Sequence, residues 1–295
     1  MKTSKNIFIA FILNLAFSIF ELIGGIFSNS VAILSDSVHD LGDAISIGVS
    51  YFLERKSHKK PDEKYTYGYI RYSVIGSLIT TTILLVGSIL VAYHSIERII
   101  HPVEINYNGM IIFAIVGVIV NSIATIYTKD GDSLNQRSVN LHMLEDVLGW
   151  IVVLIGSVIM KFTDISILDP ILSIGVSIFI FIHALKNMQE IINIFLGKTP
   201  KNISIQEIKE HLSSIKGVKD IHHIHVWSID GYSNYATMHV VYDENEKNIK
   251  SSIKEELKEH GINHVTVELE TEEEHCEEEN CNVEINDKKN HKHNH

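Results

Sequence analysis

The sequence predicts an α-helical membrane protein with six transmembrane helices, followed by a ferredoxin-like α+β domain of order αββαβ. Three observations predict it. Six apolar runs of spanning length fill residues 7–188. The composition turns polar and acidic after Lys198. Two copies of a His-x-x-x-Asp pair interrupt two of the apolar runs. With 45% hydrophobic residues over 295 positions the chain is apolar for a soluble protein, yet too polar for one wholly buried in lipid.

The spans are read at 7–27, 31–53, 72–96, 107–128, 138–160 and 166–188. Ser73 to Tyr93 and Tyr107 to Thr128 carry no charge, and such runs are too long for helices of a soluble core. The first run lacks a small-residue cleavage site and reads as a retained helix. Lys2 and Lys5 precede it, Arg55, Lys56, Lys59, Lys60 and Lys64 follow the second span, and Lys129 and Arg137 lie between the fourth and fifth. The alternate loops are short or poorer in basic residues, so both termini are expected in the cytoplasm.

Gly197 and Pro200 mark a boundary. Ser204 with Glu207 three residues on forms a capping box for a helix over Ser204–Ile215. Strands follow at Val218–Ile229 and Tyr235–Tyr242, a second helix at Asn248–His260 closed by Gly261, and a third strand at His264–Glu270. The expected domains are 1–197 for transport, 198–270 for metal sensing and dimerisation, and 271–295 as an acidic, His-rich tail too polar to bury a core. The two cysteines, Cys276 and Cys281, fall in that tail beside His275. Two cysteines make no disulfide framework, and in this setting they read as a metal-binding pair.

His39 and Asp43 lie four residues apart in the second span, as do His142 and Asp146 in the fifth. On a helix each pair shares one face. Two such helices facing each other offer two nitrogens and two oxygens, a set suited to a divalent transition metal and above all Zn2+. Ionisable groups inside a membrane span are costly and mark transport paths. Asp36 shares the face of His39, as an entry ligand or an acceptor for imidazole N–H, while Asp40 beside His39 and Glu145 beside Asp146 suit a lateral hydrogen bond or a water-facing wall at least as well as a metal role. No nucleophile, phosphate loop or hydrolytic constellation is visible, which argues against an enzyme. No basic field suggests nucleic acid; the formal net charge is −11.

These stretches have company. Asn14 and Glu21 in the first span, GIFSNSVAILSDSVHDLGD at 25–43, YTYGYIRY at 65–72, Ile96-Glu97-Arg98, LHMLEDVLGW at 141–150, Asp169-Pro170 and HHIHVWSI at 222–229 resemble, in order and spacing, the cation diffusion facilitator family, in particular its bacterial zinc/cadmium/cobalt exporters. The resemblance covers residues 1 to about 270. It implies a homodimer that exports a divalent metal ion in exchange for protons; with zinc foremost, the cycle expected is alternating access, and the membrane expected is the plasma membrane. It puts His39, Asp43, His142 and Asp146 on the transport site, and His222, His239, Glu268 and Glu270 on a cytoplasmic metal site. His223, His225 and His264 are nearby alternatives. Strand alternation sets His223 and His225 on one face and His222 on the other. Trp227 reads as domain core or dimer contact. Some relatives bind a further metal through an aspartate and two histidines between the second and third spans. Here Asp62 is accompanied by Tyr65 and Tyr69 instead, so that site is expected to be missing, with His58 a weak surface ligand at most. The alternatives are export of Cd2+, Co2+, Ni2+ or Mn2+, or a metal-gated channel or sensor.

Overall fold

A computed structural model describes residues 2–28, 31–101, 107–130, 133–163, 167–246 and 248–274. Six long helices come first: α1 (Lys2–Ser28), α2 (Val31–Ser57), α3 (Arg71–Ile100), α4 (Tyr107–Lys129), α5 (Leu134–Thr163) and α6 (Leu168–Phe195). Most overrun the apolar segments that announce them. At 30 residues, α3 and α5 are about 45 Å long, against roughly 30 Å of hydrocarbon. The surplus turns lie where hydropathy no longer marks a helix. Five of the six are long and apolar enough to cross a membrane by length and composition; α2, which carries Asp36, Asp40 and Asp43, is the exception. The chain is a multi-pass membrane protein.

Within the bundle, α1 packs on α2, α4 on α5 and α3 on α6, with α3 also meeting α2 and α5. In lipid the helices gain little from apolar burial against one another, so close packing and polar contacts hold them. Both are present. Ser50 Oγ meets Thr80 Oγ1 at 2.7 Å and Asn135 Oδ1 at 2.8 Å, while Asn135 Nδ2 donates to the Ser50 carbonyl at 2.9 Å. Asn187 of α6 donates to Thr81 Oγ1 at 2.7 Å and to Ser138 Oγ at 2.8 Å. Four helices, α2, α3, α5 and α6, thus share one polar seam. Small residues permit the approach: Gly76 lies against the Asn135 amide and Gly117 of α4 under the Trp150 indole of α5.

After the helices the chain forms α7 (Ile205–Ser213), β1 (Val218–Ser228), β2 (Asn234–Tyr242), α8 (Ile249–Glu259) and β3 (Ile262–Glu270), the αββαβ order of a ferredoxin-like domain. The sheet order is β1-β2-β3, with β1 antiparallel and β3 parallel to β2. Ser204 caps α7, its side chain accepting from Glu207 N at 3.3 Å. One core holds this unit together: Ile208 and Leu212 of α7 and Ile253 and Leu257 of α8 pack on Ile221, Val226, Ala236, Met238, Val240 and Val267. Both helices therefore cover the same sheet face, and the alternate strand residues form the other. By contacts, the described residues up to Leu196 with Ile229–Tyr232 make one compact unit, and the other described residues a second.

The Gly117 contact gives a first prediction. A methyl group there would sit 2.5–2.8 Å from indole carbons that include the ring's attachment atom, which has little freedom to swing away. Gly87 has open space around it. Gly117→Ala should lower the melting temperature in detergent micelles, consistent with an overpacking cost of about 1–3 kcal/mol, and shift Trp150 fluorescence. Gly87→Ala should do neither. Equal melting of the two variants would reject this packing of α4 on α5.

Candidate metal centre

The first cluster lies midway along α2 and α5. Asp43 is 5% exposed and His142 3%. His142 Nε2 stands 3.6 Å from Asp43 Oδ1, and with Asp146 one turn further along α5 the three present ligand atoms within 4.8 Å of one another. The i,i+4 spacing on α5 and the sparse meeting of α2 with α5 bring these residues together. His39 stands on α2 one turn before Asp43, but its side chain, like that of Asp36, lies outside the described residues. Asp40 and Glu145 are half-buried beside the cluster.

A residue not singled out from sequence lies further along α2 on the same stripe. Asp43, Ser46, Ser50 and Glu54 recur at intervals of three or four along α2 and are all buried. Glu54, about 16 Å along the helix from Asp43, is 2% exposed. Its Oε2 accepts from Ser73 Oγ at 2.7 Å, Ser133 Oγ at 3.2 Å and Asn135 Nδ2 at 3.2 Å. One carboxylate thus ties together α2, α3 and the start of α5. The signal was the polar stripe at helical spacing, which the neighbouring Arg55 and Lys56 disguise as a water-facing helix end.

Between α2 and α3, Asp62 organises a turn. Its Oδ1 accepts from Lys64 N and Tyr65 N, and its Oδ2 from Tyr69 Oη at 2.6 Å and Lys59 Nζ at 3.0 Å. The Tyr69 hydroxyl first, then the Lys59 ammonium, hold this carboxyl well below the usual range. His58 Nδ1 faces the Glu54 carbonyl at 2.8 Å.

The second cluster sits on the sheet face that the helices leave uncovered. His222 and His239 are cross-strand partners, as are His239 and Glu268. His239 Nδ1 hydrogen-bonds Glu270 Oε1, and its Nε2 lies 3.4 Å from Glu268 Oε2. His222 Nε2 is 3.2 Å from Glu270 Oε2, and its Nδ1 is 3.3 Å from Asp220 Oδ2, a carboxylate not foreseen. His222, His239 and Glu270 present ligand atoms within 4.8 Å of one another. The expected alternation is overturned here. β1 has a bulge between His222 and His225, with His223 at φ 50°. The extra residue leaves Ile221 and Val226 in the core, five positions apart, and turns His222 and His223 to the same side. The His223 ring accordingly lies 4.9 Å from that of His239. His225 is exposed two residues on, opposite Thr237. His264 is elsewhere, its ring 5.2 Å from Tyr235, which stacks on Trp227. Trp227 is half-buried and not part of the domain core. His275, Cys276 and Cys281 lie outside the described residues.

The loop yields a prediction with a definite sign. The folded-state pKa of Asp62 is depressed, so its ordering contribution is present above the unfolded value of about 4 and is lost as pH falls through the folded value. Across the neutral range trypsin protection at Lys59, Lys60 and Lys64 should therefore be flat with pH. Asp62→Asn should be cut faster at those lysines in folded protein. Unchanged cleavage rates would show that the carboxylate does not organise the turn.

The comparisons with known proteins agree with the geometry. A cation efflux transmembrane domain is matched over residues 7–196 and the cytoplasmic domain of cation efflux proteins over residues 200–272. The chain is 33% identical, over 91% of its length and 89% of the relative's, to the cadmium, cobalt and zinc/H(+)-K(+) antiporter of Bacillus subtilis. It is 30% identical to the zinc transporter ZitB of Yersinia pseudotuberculosis, covering 96% and 92% of the two chains. It is 26% identical to the metal cation efflux system protein CzcD of Cupriavidus metallidurans, covering 90% and 86%. With both domains matched in order and bundle, sheet and clusters in place, the chain belongs to the cation efflux, or cation diffusion facilitator, family.

Proposed function

We propose that this protein exports a divalent transition-metal ion, zinc foremost, from the cytoplasm across the plasma membrane in exchange for protons. The observation that carries the reading is the cluster of buried Asp43 and His142 with half-buried Asp146, well inside membrane helices. In this reading His39 completes it as the fourth ligand. Residues 1–197 form the transport domain, 198–270 the cytoplasmic metal-sensing and dimerisation domain, and 271–295 a tail whose Cys276 and Cys281 capture metal. The chain works as a homodimer with both termini in the cytoplasm.

The cycle follows from the ligand types. A metal ion binds neutral imidazole and ionised carboxylate, so its entry expels protons, and protons returning from the far side expel the ion. Metal and proton exclude each other from one cluster. Rocking of the bundle between two openings is then sufficient for antiport. Histidine suits the exchange because its free pKa of about 6.5 lies near the pH of either compartment. Zinc at His222, His239, Glu268 and Glu270 joins all three strands and tightens the cytoplasmic domain when cytoplasmic metal is high.

The test is initial zinc uptake into inverted membrane vesicles, with and without a pH gradient. Asp43→Ala, His142→Ala and Asp146→Ala should each lower the rate by more than the roughly 10–100-fold that loss of a group merely supporting a ligand costs. All three should remain folded. Wild-type flux in any two of them would reject the cluster as transport site. Counterflow of labelled zinc should appear in the parent; its absence would point to a channel.

Selectivity gives a sharper check. Two imidazoles and two carboxylates favour zinc, cobalt and cadmium over manganese and magnesium. His142→Asp would replace a nitrogen by an oxygen and should raise manganese flux relative to zinc. An unchanged zinc-to-manganese ratio at measurable flux would mean that His142 does not touch the ion.

A further inference from the structure

α7 and α8 end in matched patterns. In α7, Ile208 and Leu212 face the core and His211 precedes Leu212. In α8, Ile253 and Leu257 face the core and Glu256 precedes Leu257. Each helix thus sets a metal-ligating side chain at the edge of its core stripe. Since both helices lie on one sheet face, those edges meet. His260, the C-cap of α8, is one turn beyond Glu256, and its backbone N–H returns to the Glu256 carbonyl.

The three side chains close a triangle. His211 Nδ1 is 3.0 Å from Glu256 Oε1, His260 Nε2 is 2.9 Å from His211 Nδ1, and His260 Nε2 is 3.5 Å from Glu256 Oε1. Protons cannot satisfy all three edges. If both imidazoles donate to the carboxylate, two N–H groups face each other across 2.9 Å. If His260 donates to His211, the Nδ1 that accepts carries no proton to give the carboxylate oxygen, and that edge is left as acceptor against acceptor. The donor inventory of imidazole and carboxylate permits no third arrangement that pairs every edge. A cation at the centre pairs every edge at once. Tetrahedral zinc with ligands at about 2.0–2.1 Å requires ligand-to-ligand edges of about 3.3 Å, and the observed edges bracket that value. The setting also favours a cation, because His211 lies in the last turn of α7 and His260 caps α8, the negative ends of both helices. His211 is more than half exposed, which leaves an entry route and room for water as fourth ligand.

We infer that His211, Glu256 and His260 form a further divalent-metal site, of zinc type, that staples the C-terminal ends of α7 and α8. It is separate from the His222–His239–Glu270 cluster, which occupies the opposite face of the sheet. Its existence does not depend on the transport reading, since it needs neither the bundle nor proton exchange. His211 opens it to solvent, so its occupancy follows the free metal concentration around the domain, and filling it ties together the C-terminal ends of two helices that pack on one core.

The test is zinc bound per chain by the full-length protein in detergent micelles at fixed free zinc. His211→Ala and His260→Ala should each bind about one ion fewer per chain than the parent. The same loss should occur when His222 and His239 have already been replaced. A direct signature comes from His260→Cys loaded with Co2+, which should gain thiolate-to-cobalt charge-transfer absorption over the parent and lose that gain when His211→Ala is added. Unchanged zinc counts in both alanine variants would overturn the site. So would a loss that disappears in the His222/His239 background, which would make the two clusters one, or a cobalt band indifferent to His211.

Discussion

The bundle is governed by the cost of burying ionisable groups among membrane helices. Asp43 and His142 are all but excluded from solvent, and Asp146 is half-buried beside them. Such groups persist in apolar surroundings only when paired, bridged or charged by an ion. The neighbouring helices are built around that demand. Ser50, Thr80, Asn135, Ser138 and Asn187 hydrogen-bond across four helices, and Glu54 gathers three donors at one carboxylate oxygen. A seam of this kind holds helices together through directional contacts that break and remake in register, whereas a greasy contact slides. It suits a bundle that must pass between two openings without losing its partners.

What was legible in the sequence is what depends on one element at a time. Span number, the αββαβ order, the Ser204 cap and the shared face of His142 and Asp146 all follow from periodicity and spacing within a single helix or strand. What was not legible depends on how elements meet. Strand alternation put His222 and His223 on opposite faces, and only the pairing of β1 with β2 reveals the bulge that unites them. Asp220 joins through the same local geometry. Glu54 looked like part of a basic, water-facing helix end, because its donors come from residues 19 to 81 positions away. His211 and His260 are 49 positions apart, and no pattern in either helix alone announces their contact. Helix ends were misjudged for another reason: hydropathy reports the hydrocarbon, while helical hydrogen bonding continues past it.

The bulge in β1 has a chemical consequence. A regular strand would spend every second residue on the core, so adjacent histidines could not serve one cluster. By adding one residue the strand keeps Ile221, Ile224 and Val226 on the core while presenting His222 and His223 together toward His239. The cost is a non-glycine residue at positive φ, a conformation that surrounding structure must hold in place. Glu270 supplies part of that hold by bridging His222 and His239 from the third strand. A metal ion held there, as proposed, would read out the register of all three strands at once.

Burial separates what these clusters do, although their ligand types are nearly the same. In the proposed exchange, Asp43, all but excluded from water, and half-buried Asp146 beside it need a countercharge at every stage, so a departing metal ion is replaced by protons. That obligation is the coupling, and it requires no gate beyond the alternation of access. On the surface of the cytoplasmic domain the obligation vanishes. With His211 and Glu256 partly in solvent, water screens the carboxylate when no ion is bound, and any proton that an entering ion displaces passes to the same bulk water, so nothing is carried across a membrane. In the proposed reading, the same imidazole–carboxylate chemistry serves as an exchanger where solvent is excluded and as a concentration-following staple where it is not. The number of water molecules each ligand can reach decides between them.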